Sequence, residues 1–229
     1  MNDPLHNFDW TRLYEHYDAL CVGFNPKVDH LRAFALRPPS DRHLYYDLIR
    51  SLHAPPTCQP DLSIDYYEAI LYWKLYSQPL AVANLQRWLA PEARPAIAAK
   101  LTRLVSTLPT AADLKGNVTT IINLVRKLGE YELPGCKTNT ALPVRTTLLH
   151  YLFPHAVPII DKMVLEAVGV GERNANQKIG IYKEYVDHVW TLTGRHAAHF
   201  VNFPHETPVR LIDMALWVSR GGCGGVQVR

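Results

Sequence analysis

Between Asn117 and Gly129, apolar side chains return at the spacing of an α-helix. Val118, Ile121, Ile122, Val125 and Leu128 fall on one stripe, Arg126 and Lys127 lie off it, and Gly129 supplies a stop. A stripe of that period must be buried against other elements, and no run of alternating apolar and polar residues offers a sheet as partner. The other periodic segments are helical as well. Helices are expected over Phe8–Leu20, Arg42–Leu52, Leu80–Leu89, Glu92–Leu108 and Thr140–Phe153, with Pro79, Pro91 and Pro109 as punctuation. Ile64–Ser77, reading IDYYEAILYWKLYS, is apolar on nearly all sides, the mark of a buried helix. Further helices are expected after Asp161, over roughly 176–193, and from Thr207, an N-cap followed by Pro208 at the first helical position. The fold class expected is all-α, a compact multi-helix bundle.

Residues 1–60 are broken by Pro38-Pro39 and Pro55-Pro56 and read as an irregular N-terminal extension. Residues 61–220 form the helical domain, and 221–229, with its GGCGG run, a fraying tail. At 229 residues, 48% hydrophobic and 20% charged, the chain has enough apolar material for a sizeable core. Its net charge of +3 permits contact with nucleic acid without demanding it, because phosphate binding depends on clustered Lys and Arg. The four cysteines, Cys21, Cys58, Cys136 and Cys223, are far apart and form no C-x-x-C pair, which argues against a zinc or iron–sulfur centre. With no leader-like segment, the expectation is a cytoplasmic protein with reduced thiols. No apolar run is long enough to span a bilayer, so no membrane partner is expected.

Chemistry concentrates in Leu133–Asp161, LPGCKTNTALPVRTTLLHYLFPHAVPIID. A Leu-Pro-Gly turn leads into a helix, and a Pro-rich turn then delivers one carboxylate, Asp161, to the start of the next. A glycine turn before a helix exposes unpaired backbone N–H groups, an anion site that Lys137 and Arg145 are placed to reinforce. A carboxylate beside a seated phosphate can stabilise the cationic sugar that develops as an N-glycosidic bond breaks, and can orient water.

Leu133, Pro134, Gly135, Thr140 and Ala141 match the hairpin of the helix-hairpin-helix DNA glycosylase superfamily, which this segment resembles over about 114–170. In that superfamily a catalytic aspartate follows after one helix and a short turn, and Asp161 takes that place. It stands 20 positions after Ala141 (161 − 141), a few more than the family frame. The resemblance implies a DNA partner, a duplex with one base extruded into a pocket, and no cofactor. It makes Asp161 the catalytic residue and Gly135, Lys137, Asn139, Thr140 and Arg145 the nucleic-acid-binding ones. Lys137 replaces the hairpin's second glycine. Asn139 stands where bifunctional members carry the lysine for Schiff-base chemistry, so the resemblance implies hydrolysis without lyase activity.

Each feature also has a structural reading. Asp161 serves as the N-cap of a following helix, and the turn joins two helices. On those readings the chain is a non-catalytic nucleic-acid binder or a helical protein-interaction module. His150, His155 and Asp161 match no standard metal-ligand spacing, so no metal is expected and His150 reads as a hydrogen-bonded, partly buried histidine. In the last helix Arg210, Asp213 and Trp217 share one face. They read as an ion pair beside a packed Trp, or as an arginine directed at Asp161 or a phosphate.

Overall fold

A computed structural model describes residues 1–54, 60–137 and 141–220. Its elements are helices: α1 (Leu13–Leu20), α2 (Asp41–Leu52), α3 (Ile64–Leu75), α4 (Pro79–Trp88), α5 (Arg94–Val105), α6 (Ala111–Leu114), α7 (Val118–Glu130), α8 (Leu142–Leu152), α9 (Lys162–Ala167), α10 (Ile179–Arg195) and α11 (Pro208–Ser219). No strand occurs among the described residues. Among these residues no helix is long and apolar enough to cross a membrane. The tail at 221–229, with Cys223, lies outside the described residues, as does Cys58.

Helix starts follow local sequence chemistry. Ser40, Ser63, Asn117, Asp161 and Thr207 each accept a hydrogen bond from a first-turn N–H of α2, α3, α7, α9 and α11. That satisfies donors which have no partner within the helix. Proline occupies the first turn of α4, α5, α8 and α11, where its missing N–H costs nothing. The helix expected from about 176 starts later, at Ile179. Asn174 takes a left-handed conformation (φ 57°) and a short 3-10 turn over Ala175–Gln177 comes first.

Three helices are buried on most faces, among them α8, where each residue from Thr146 to Leu152 is buried. In α3 each residue from Tyr67 to Trp73 is buried, and in α11 each from Val209 to Leu216. Helix α3 packs against α2, α4, α5 and α8, whereas α11 packs against α1, α9 and α10. The N-terminal residues are part of this body rather than an extension beside it. Trp10, Leu13, Tyr17, Leu31, Leu44, Tyr45, Leu48 and Leu52 belong to the same apolar core as α3 and α11. Each such side chain contributes about 1.5–3 kcal/mol when fully buried.

Between α7 and α8 the chain makes the Leu-Pro-Gly turn. Cys136 N–H donates to the Leu133 carbonyl at 2.9 Å, and Gly135 sits at φ 78°. Pro before a left-handed Gly is the pattern of a type II turn. A Cβ at Gly135 would also stand 3.3 Å from both Leu71 Cδ2 and Val144 Cγ1. Gly135→Ala is expected to cost about 1–2 kcal/mol from the left-handed backbone alone. Urea unfolding midpoints read this directly, and an unchanged midpoint would show that the turn relaxes.

Candidate active site

Asp161 is held at its position by the chain that precedes it. From Pro154 to Ile160, five backbone groups are taken by buried or half-buried side chains. Thr207 Oγ1 donates to Pro154 O (2.8 Å), Trp190 Nε1 to Ala156 O (3.0 Å) and Tyr182 OH to Pro158 O (3.0 Å). Ile160 N–H donates to Thr146 Oγ1 (3.2 Å). His150 Nδ1 donates to Val157 O at 2.7 Å, which leaves Nε2 to accept from Tyr45 OH at 2.8 Å. A Pro-rich turn has few backbone partners of its own, so these side chains supply them and fix where the next helix begins.

His150 is fully buried, with both ring nitrogens engaged. Burial pushes its pKa down from 6.5 to about 3, with Arg210 and His155 adding to the fall. The folded protein therefore keeps it neutral while the unfolded chain protonates it below about 6.5. Its contribution to stability is complete above 6.5 and is lost as pH falls from there towards about 3. The stability gap between the wild type and His150→Gln should narrow by about 1.4 kcal/mol per pH unit across that window. Urea titrations at several pH values would show it; a gap that stays constant would mean the imidazole is not held neutral.

The Asp161 carboxylate does two things at once. Oδ1 accepts from Val164 N–H at 3.0 Å, capping α9, while Oδ2 lies 3.3 Å from Lys74 Nζ. Its side chain stays 23% exposed and lines an open cleft of about 580 Å³, within the size range of ligand sites. The walls are aromatic, with Trp73 and Tyr76 from the end of α3 and Trp217 from α11. The floor is polar, with Tyr17, Asp41, Arg210 and Asp213. Lys162, Met163 and Arg220 also line it, and the Arg220 guanidinium lies 4.2 Å from the centre of the Trp217 ring. Asp41, at the first position of α2, accepts from Tyr17 OH at 2.8 Å, and burial raises its pKa.

Arg210 is only 1% exposed and takes the structural role anticipated for it, with an added function. Nη1 donates to Asp213 Oδ2 at 2.5 Å and Nη2 to Tyr17 OH at 2.7 Å. The guanidinium is within 4.4–5.2 Å of the ring centres of Tyr45, Tyr17 and Trp73. One buried cation thus serves Asp213 directly and Asp41 through the Tyr17 hydroxyl.

The turn residues lie next door. Gly135 and Lys137 line a second, more apolar cleft of about 610 Å³ with Pro134, Trp88 and Ile97. Leu75 and Val144 border both clefts and divide them. Lys137 is exposed there. Arg145, expected at a phosphate, serves the turn instead: Nε donates to Cys136 O at 2.8 Å, and its guanidinium fills the space beside Gly129. Tyr67 OH takes Pro134 O at 2.5 Å, so two of the turn's carbonyls are committed to the fold. Asn139 and Thr140 lie outside the described residues.

Family models, curated proteins and solved structures give no match to this chain. The site's meaning therefore rests on its own chemistry.

Lys74, Trp73, Tyr76 and Asp41 were not legible as site residues. Lys74 carried the one available signal, as the lone cation of α3 near its end. Among the described residues no group of three His, Cys, Asp or Glu side chains is arranged to hold a metal ion. His155 is exposed, and both nitrogens of His150 are occupied.

Proposed function

We propose that the cleft receives an extruded nucleotide of duplex DNA and that Asp161 promotes hydrolysis of its N-glycosidic bond. The observation that carries this reading is an accessible, rigidly delivered carboxylate inside an aromatic-walled cleft. Trp and Tyr faces hold a planar base by stacking, worth about 1–3 kcal/mol per base. Asp161 lines the same cleft, with its charge partly balanced by Lys74. As the bond to the base lengthens, positive charge grows on the sugar, and a fixed anion in a partly desolvated site stabilises that charge more than it does the ground state. The chain's own contribution is electrostatic and positional. Extrusion costs a few kcal/mol, which stacking in the cleft offsets.

The adjoining turn supports the same reading. Gly135 and Lys137 line the neighbouring cleft, and the exposed Lys137 offers a cation for a flanking phosphate. Lys137→Ala should weaken binding to all duplex sequences alike and reduce the salt slope by about 1. A sequence-selective loss would place Lys137 at a base instead.

The function is tested by incubating the full chain with duplexes that each carry one modified or mismatched base, then cleaving abasic sites with hot alkali. Strand cleavage after alkali, with little before it, is the expected outcome for at least one duplex. Tight binding with no abasic sites on any duplex would identify a non-catalytic binder. No binding at all would leave the cleft without a nucleic-acid role.

A further inference from the structure

The interior of the cleft holds three carboxylates, Asp41, Asp161 and Asp213, against two cations, Lys74 and Arg210. The other lining cations sit at the rim: Lys162 is 77% exposed and paired with Glu166, and Arg220 lies on Trp217. Asp213 Oδ2 is bonded to Arg210. Its Oδ1 makes no hydrogen bond among the described residues, yet it is not one of the sealed, unsatisfied atoms, and the side chain keeps 9% exposure. That oxygen therefore faces the cleft. Arg210 divides its charge between Asp213 and Asp41, and Lys74 between Asp161 and Asp213.

From this geometry we infer that Asp213 is a second catalytic carboxyl, holding a proton for the departing base, and that the substrate is consequently a neutral base. The inference rests on the functional reading given above. Burial, with nearby Asp161 adding and Arg210 and Lys74 opposing, leaves the Asp213 pKa raised to about 6. The groups facing Asp213 from the packed elements are Tyr17 on α1, Asp41 and Tyr45 on α2, and Lys74 on α3. Tyr151 on α8, Asp161 at the start of α9, Tyr185 on α10 and Arg210 on α11 complete the set. Burial holds all four of these tyrosines well above their ordinary pKa, so they stay neutral throughout the relevant range.

The step balances as follows. Asp213 Oδ1–H gives its proton to a ring nitrogen or exocyclic oxygen of the base. The bond from the sugar's C1′ to the base nitrogen breaks, and its electron pair leaves with the base. A water oxygen then bonds to C1′ and its surplus proton returns to Asp213. Asp161 takes no part in the proton transfer and faces the sugar. A base that is already cationic, such as an N7-alkylated guanine, leaves without this proton.

Single-turnover release should be measured over a pH series for wild type, Asp213→Asn and Asp161→Asn. The duplexes contain uracil, hypoxanthine or adenine opposite 8-oxoguanine as neutral bases, and 7-methylguanine as the cationic one. In the wild type, neutral-base release should fall on the alkaline side of the Asp213 midpoint, whereas 7-methylguanine release should not. Asp213→Asn should slow neutral-base release by about 100-fold or more, remove that alkaline limb, and change 7-methylguanine release little. Equal slowing of all duplexes, as a purely structural role produces, or slowing of none, overturns the inference while leaving the role of Asp161 intact. Release of 7-methylguanine alone by the wild type overturns it in the same way. No release from any duplex by wild type removes the functional reading, and this inference with it. If Asp213→Asn does not fold, the wild-type pH profiles on the two kinds of duplex decide.

Discussion

Replacing Arg210 by Met should destabilise the protein by about 3–5 kcal/mol, the loss expected when one partner of a buried ion pair is removed. The reason is what remains. Asp213 loses its bond at 2.5 Å, and Tyr17 loses the donor that links it to the same cation. Asp41 is then buried with only Tyr17 OH and weaker neighbours to steady it. Three rings also lose a guanidinium from their faces. Much of this cost belongs to the orphaned carboxylates and not to the pair itself. The double variant Arg210→Met/Asp213→Leu should therefore recover a substantial part of the loss, as apolar replacement of buried pairs often does. Urea midpoints for wild type, single and double variants make the comparison. A single-variant loss below about 1 kcal/mol would mean that the interior takes in water and the pair is not buried as described.

Asp161→Asn should lower base release by at least about 100-fold while leaving the fold intact. Asparagine caps a helix about as well as aspartate, so Val164 N–H keeps its acceptor and α9 still begins at Lys162. The charge facing the developing sugar cation is what disappears. Lys74, which sits 3.3 Å from the carboxylate, then adds an unopposed positive charge to the same place. Asp161→Ala removes the cap as well and should cost a further ~0.5–2 kcal/mol of stability. Single-turnover rates together with unfolding midpoints separate the two roles. An Asn variant as fast as wild type would leave Asp161 as a cap and nothing more.

How far the sequence could be read depended on which physical signal each residue carried. The stripe of Val118, Ile121, Val125 and Leu128 announced α7, because burial on one face is written into spacing. Thr207 and Asp161 announced the starts of α11 and α9, because a side-chain oxygen one residue before a helix is local chemistry. The aromatic walls carried no such signal. In α3 the buried face and the cleft face are both apolar, so from spacing alone Tyr76 looks like core, and Trp73 borders the cleft while being buried in the core itself. The sequence put Arg145 among the phosphate-binding residues; only the turn's geometry shows that its Nε donates to Cys136 O. The prolines of residues 1–60 suggested an irregular extension, yet Leu44, Tyr45 and Leu48 of α2 belong to the core that α3 shares. The partition that puts Gly135 and Asp161 in adjoining clefts depends on Leu75 and Val144, which are 69 positions apart (144 − 75).

Photo-cross-linking from the extruded base reads its position directly. A duplex carrying 5-iodouracil at a mismatched position, irradiated with the Asp161→Asn protein, should link to peptides containing Trp73, Tyr76 or Trp217. Linkage to Trp88 in the neighbouring cleft, or to surface residues only, would contradict a base seated against Asp161.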